Sequence, residues 1–292
     1  MAKFLLKLAL WAMALILTAG MLEAVQTRSS SKSHPPNLIL GDSHAGPVKL
    51  KTFANLSHAG DPLFVQLLKA FRHGDLTGKP PQFVTLTVGP QNFSALSELR
   101  IDQDHENWRS SRAARLAALA DVEDYLRWVP APVWIEAFMK EFTLPEYERL
   151  YAQNFYKKTY RNNANERIQR QMVGEPDWLL EDSHAWNALS QLVDLTTSWG
   201  AQLLILETPR HEHYESQVFT PDLTAYRQRL SELAGRHAHV TFVPSDRFAP
   251  DTEWFGDSDH LNSFGAECLN QDMIEQDMLP AAWTPFLKTA KP

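Results

Sequence analysis

Short apolar runs that stop at glycine or a turn residue alternate with helix-period stretches along this 292-residue chain, and few folds accept that alternation. Asn37-Leu38-Ile39-Leu40 ends at Gly41 and reads as a buried strand with a sharp turn after it. Thr52 to Leu56 is a second extended piece, followed by Asp61-Pro62, which suits the start of a helix through Phe71. Gln82 to Val88 forms a third strand, stopped by Gly89-Pro90. Later come a helix from about Ala185 to Trp199 with Gly200 at its C′ position, and the strand Gln202 to Leu206. A helix from Pro221 to Ala234, a strand from His239 to Val243 and a last helix from near Ser263 complete the series. Strands that are apolar on both faces and separated by helices pair in parallel and are covered from both sides. The expected fold is therefore α/β, a three-layer α/β/α arrangement with a central parallel sheet.

One stretch interrupts the pattern. From about residue 93 to 178 the sequence is helical and charge-rich, with the clearest helices at Arg112 to Arg127 and Leu144 to Met172, and it reads as a helical insertion. Tyr147, Tyr151, Tyr156 and Tyr160 recur there at helical spacing, as residues on a packed face do.

The N-terminus has a different character. Lys3 and Lys7 precede or interrupt an apolar run from Phe4 to Leu22, long enough to cross a bilayer core as a helix. Basic residues on the entry side favour a cytoplasmic N-terminus with the rest of the chain beyond the membrane. Residues 1–24 are expected to be a membrane anchor or a signal peptide, for which Thr18-Ala19-Gly20 is the nearest cleavage site. Residues 25–36 read as a linker and 37–292 as the folded domain. A net charge of −7 gives no field that would gather nucleic acid, and the single Cys268 excludes an internal disulfide scaffold.

Ligands of open parallel sheets bind beyond the C-terminal strand ends, so those positions come first in a search for chemistry. After the first strand stands Gly41-Asp42-Ser43-His44, in which a serine follows a glycine turn. A serine hydroxyl attacks only when a base takes its proton, which calls for a histidine oriented by a carboxylate. Asp257-Ser258-Asp259-His260 provides both before the final helix: Asp257 can hold Nδ1–H of His260 and leave Nε2 free, with Asp259 as a rival orienter. Acyl transfer also needs donors for an oxyanion, and the Ser43 N–H, Gly60 and Asn92 are candidates.

Gly41-Asp42-Ser43, Gly60, Asn92 and Asp257-x-x-His260 occur in the order of the four blocks of the SGNH (GDSL-like) hydrolase superfamily, which the chain resembles over most of its length after the linker. The resemblance implies a flavodoxin-like sandwich with Ser43, His260 and Asp257 as a triad that uses no cofactor or metal. The third block departs from the family: Gly-Pro-Gln-Asn stands where members commonly have Gly-x-Asn-Asp. The anchor and the insertion look like the membrane-bound branch that adds or removes acyl groups on alginate or teichoic acid. That implies an extracytoplasmic protein, periplasmic or at the cell surface, with an acylated glycan or cell-envelope polymer as partner and a membrane-bound acyl donor protein as a second. Water as acceptor makes an esterase and a sugar hydroxyl makes an acyltransferase. The alternative from another class is a catalytically silent protein that holds or assembles glycan in the same cleft.

Three further features compete for attention. Asp182-Ser183-His184-Ala185 repeats Asp42-Ser43-His44-Ala45 but opens a helix, so capping is its expected role. His211-x-His213 has a spacing that could serve a metal, with nothing nearby to complete a site. Arg210 and His211, just after the fourth strand, are expected to contact substrate, Arg210 as a clamp for an anionic group.

Overall fold

The computed structural model describes residues 36–57, 59–77, 79–97, 160–172, 178–180, 182–276 and 278–286. The expected membrane segment, nearly all of the linker, the Arg112 to Arg127 helix and most of the Leu144 to Met172 helix lie outside the described residues. The described elements run β1 (Asn37–Leu40), β2 (Phe53–Asn55), α1 (Leu63–Thr77), β3 (Phe83–Val88), α2 (Ala164–Gln171), α3 (His184–Trp199), β4 (Gln202–Glu207), α4 (Glu212–Glu215), α5 (Thr220–Arg236), β5 (Val240–Val243) and α6 (Ser263–Glu275). Among the described residues no helix is long and apolar enough to cross a membrane.

The strands form one five-stranded, all-parallel sheet in the order β2-β1-β3-β4-β5. The α/β expectation holds at this level, with helices flanking the sheet. Alternate strand residues enter two separate apolar clusters. Leu38, Leu40, Val84, Leu86, Leu203 and Ile205 pack with residues of α1, α3 and α5, whereas Ile39, Leu204, Leu206 and Val243 pack with Leu269 and Met273 of α6. Strands this short and apolar on both faces are stable only when both are covered, each fully buried Leu or Ile contributing about 1.5–3 kcal/mol.

Local chemistry sets the element ends. Ser183 caps α3, accepting the Trp186 N–H at 3.3 Å, and Gly200 takes the left-handed conformation (φ +64°) that ends it. The repeated Asp-Ser-His-Ala tetrapeptide is thus a helix cap at its second occurrence. Helix α1 runs past the expected Phe71 to Thr77, since no proline interrupts it before Pro80. The chain leaves β1 for β2 on one side and returns to place β3 on the other. The ends of β1 and β3 therefore flank the point where the winding reverses, the usual position for a binding crevice.

Candidate active site

Gly41 follows β1 at φ +140°, and a Cβ there would lie 2.0 Å from Thr87 Oγ1 of β3. Only glycine lets the chain turn so tightly against its neighbour strand. The turn leads into a single 3₁₀ turn, Ser43–Ala45, capped by Asp42, which accepts the His44 N–H at 3.0 Å. Asp42 and His44 are buried, whereas Ser43 is half-exposed. A neighbouring loop is tied to the same turn: Gln66 of α1 accepts the Gly41 N–H at 3.0 Å and donates to Asp61 at 3.0 Å, and Lys69 pairs with the same Asp61 carboxylate. Gly60, at φ +79°, stands beside Asp61 in that loop.

An imidazole arrives from near the other end of the chain. His260 Nε2 lies 2.8 Å from Ser43 Oγ, and His260 Nδ1 lies 3.0 Å from Asp257 Oδ1. Asp257 also accepts the backbone N–H groups of Asp259 and His260, at 3.2 and 2.9 Å, so one carboxylate shapes the loop and aims the ring. Behind the loop, Asn262 caps α6, and a Cβ on Gly265 would meet the Trp254 carbonyl at 2.1 Å, so the helix start is pressed onto the loop. The three residues expected to form a triad stand in one hydrogen-bonded chain.

Asp259 is not a bystander. Its Oδ1 is also 3.0 Å from His260 Nδ1, so two carboxylates stand at the same ring nitrogen. Burial pushes the His260 ring toward neutrality, yet Asp259 and Asp257 together outweigh it, and its pKa is pushed up to about 10. Burial likewise pushes Asp259 up, and the imidazoles of His260 and His44 hold it well below the usual carboxylate range.

Two residues that the sequence did not disclose complete this shell. From α2, Arg167 reaches Asp257 at 3.0 Å and Asp259 at 3.3 Å, and Gln171 donates to Asp259 at 2.9 Å while accepting from Tyr214 at 2.6 Å. Nearby, Asn163 accepts the N–H and hydroxyl of Ser258, at 3.1 and 2.6 Å. Gly256-Asp257-Ser258 repeats the motif that follows β1, but this second serine is fully buried and serves the loop. Arg161, Asn163, Glu166, Arg167, Arg170, Gly256 and Asp257 line a hollow of about 260 Å³ behind the aspartate. The one legible signal was the amphipathic face of α2, with Ala164, Ile168 and Gln171 turned inward.

Neither a family's sequence model nor a curated protein matches this chain.

Asn92 lies in the 3₁₀ turn Pro90–Phe93 after β3, where its side-chain oxygen accepts the Gly89 N–H at 2.8 Å. Its amide donates to Asp42 at 3.2 Å, and Gln91 donates to the same oxygen at 3.1 Å. Burial would raise Asp42, but His44 and the Gln91 amide more than reverse that, and its carboxyl stays ionised far into acid. Asn92 is thus braced on Asp42, the residue before Ser43.

Arg210 does not face a substrate cleft. Its side chain is wholly inaccessible and paired with Glu207 at 2.5 Å and Glu215 at 2.9 Å, while Arg227 joins Glu207 at 2.9 Å. The anionic group it holds is part of the protein. His211 is buried too, stacked on Tyr160 with centroids 4.2 Å apart, and its Nε2 lies 3.0 Å from Thr252 Oγ1. Burial, and then His213, lower its pKa. His211, Glu212 and His213 bring their ligand-type atoms within 4.8 Å of one another, as do His44, Asp259 and His260. These are the described groups with metal-ligand chemistry.

Proposed function

We propose that this chain is a serine esterase or O-acyltransferase of the SGNH type, built on a three-layer α/β/α sandwich and working through an acyl-serine intermediate. The carrying observation is the continuous relay Ser43 Oγ, His260 Nε2, His260 Nδ1, Asp257 Oδ1, at 2.8 and 3.0 Å, with the imidazole buried and the serine half-exposed. In the first step neutral His260 takes the Ser43 proton as Oγ bonds to the carbonyl carbon of an ester. The carbonyl oxygen becomes an oxyanion, for which the donors on this reading are the Ser43 and Gly60 N–H groups and the amide hydrogen of Asn92 not given to Asp42. Collapse breaks the bond to the alcohol, which leaves with the proton from His260. Water or a sugar hydroxyl then repeats the sequence in reverse, giving hydrolysis or transfer.

The apolar run Phe4 to Leu22 supports an extracytoplasmic position at the membrane, where an acylated envelope glycan is the natural partner and a membrane-bound protein the natural acyl donor. The test of the chemistry is a fluorophosphonate probe on the full chain. Labelling at Ser43 that disappears in Ser43→Ala and His260→Ala is expected; a wild-type protein that stays unlabelled across pH 6 to 10 would instead be a silent, glycan-holding version of the fold. Incubation of an acetyl ester with glycan fragments separates the two acceptors, since acetate release without acetylated glycan rejects transfer.

A further inference from the structure

The residue after the nucleophile repeats the chemistry of the base. His44 Nδ1 is 2.7 Å from Asp42 Oδ1, and its ring lies flat against that of His260, with centroids 4.5 Å apart and planes 9° from parallel. Its Nε2 is buried, makes no hydrogen bond and faces Asp259 Oδ2 at 3.7 Å. Asp42 is in turn gripped by the Gln91 and Asn92 amides, so neither ring nor carboxylate can turn away. Such a pair is more than the turn needs: the Asp42 cap on the His44 N–H would hold the turn with an apolar side chain at position 44.

We propose that Asp42–His44 is a second imidazole–carboxylate pair that positions His260, bracing the face of its ring and sharing Asp259 with it so that the base holds its proton less tightly than Asp257 and Asp259 alone would make it. The inference rests on the reading of Ser43 as nucleophile. The physical need for such a brace is a matter of charge. Facing His260 are Asp257 and Asp259 from its own loop, Asp42 and His44 from the turn after β1, and Arg167 from α2, with Tyr214 reaching the cluster through Gln171. Two carboxylates at one Nδ1 hold the proton on the ring, and a base that cannot give up its proton cannot accept one from serine. A cationic His44 stacked on the ring and paired with Asp259 opposes that trap. Burial disfavours the charge on His44, and so does a charged His260, but Asp42 at Nδ1 and Asp259 beyond Nε2 outweigh them and its pKa is raised.

Removing the cation leaves Asp42 and Asp259 less compensated, raises the proton affinity of His260 and moves the limb on which Ser43 reactivity rises to higher pH. The experiment measures the rate of fluorophosphonate labelling between pH 6 and 10 for the full-length wild type, His44→Gln and the double variant His44→Gln/Asp259→Asn, with the His260 ring titrated by NMR in each. His44→Gln should shift the limb upward by about one pH unit, so that labelling below the limb slows by about tenfold. The double variant, which removes one anion with the cation, should return the limb toward wild type although it is the more heavily altered protein. A purely structural role for His44 predicts no such return. An unshifted His260 titration in His44→Gln, or a double variant no closer to wild type, overturns the proposal. Shifted titrations together with an unlabelled wild type support the brace and overturn only the reading of Ser43.

Discussion

Two clusters of arginine and carboxylate sit at the C-terminal edge of the sheet, and they differ in what they leave accessible. In the first, Glu207 at the end of β4 is fully buried between Arg210 and Arg227, and every one of these groups faces another part of the protein. In the second, Arg167 holds Asp257 and Asp259, but Asp257 passes its charge on to a histidine whose far nitrogen meets a half-exposed hydroxyl. The same side-chain chemistry closes on itself in one place and ends in a reactive atom in the other. A cluster becomes a candidate site when its chain of partners stops at something a substrate can reach.

That contrast can be broken at either end. The largest effect belongs to the open cluster: Asp257→Asn should lower ester cleavage or probe labelling by about a thousandfold to ten-thousandfold, because an amide favours the wrong His260 tautomer. Its thermal midpoint should move little, since Asn can still accept the Asp259 and His260 N–H groups; a near-normal rate would transfer the orienting role to Asp259. Next comes the closed cluster, where Arg210→Met should cost about 3–5 kcal/mol of stability in urea unfolding by leaving Glu207 short of a partner. The rate per folded molecule is not where that loss should appear. A normal urea midpoint with a raised KM would return Arg210 to the substrate cleft.

The pH dependence of this cluster has a definite sign. Burial raises the Glu207 carboxyl, but Arg210 and Arg227 hold it below its usual value, so its stabilisation is present above the ordinary glutamate range and lost as pH falls below it. The smallest effect is a shift rather than a loss. Asp259→Asn removes one of two anions at His260 Nδ1, so the limb of activity that follows His260 deprotonation should move about one pH unit toward neutrality. A limb that stays in place would mean that Asp259 does not act on the base through charge.

Much of the fold was legible because its signals are local. The runs at 37–40 and 202–206 could hardly be anything but buried strands, and Gly200 and Ser183 mark helix ends by backbone chemistry confined to a few residues. That Ser43 and the Asp257/His260 pair meet was suggested for a related reason, since a turn glycine and a three-residue spacing each present a polar side chain within one loop. Arg167 and Gln171 were not legible, because they lie about ninety positions from their partners and nothing near them in the chain announces a carboxylate. Arg210 shows the opposite failure: its position after a strand suggested a substrate contact, and only burial between Glu207 and Glu215 showed where its charge goes.

From sequence alone followed the alternation of elements and the candidate nucleophile with its candidate base. Tertiary structure alone decided the strand order, the 2.8 Å approach of two residues 217 positions apart, and the stacking of His44 on His260. The division has a physical cause. Propensity, capping and turn geometry act over a few residues, whereas the charge a group feels depends on whatever packing brings within about 5 Å, from any part of the chain.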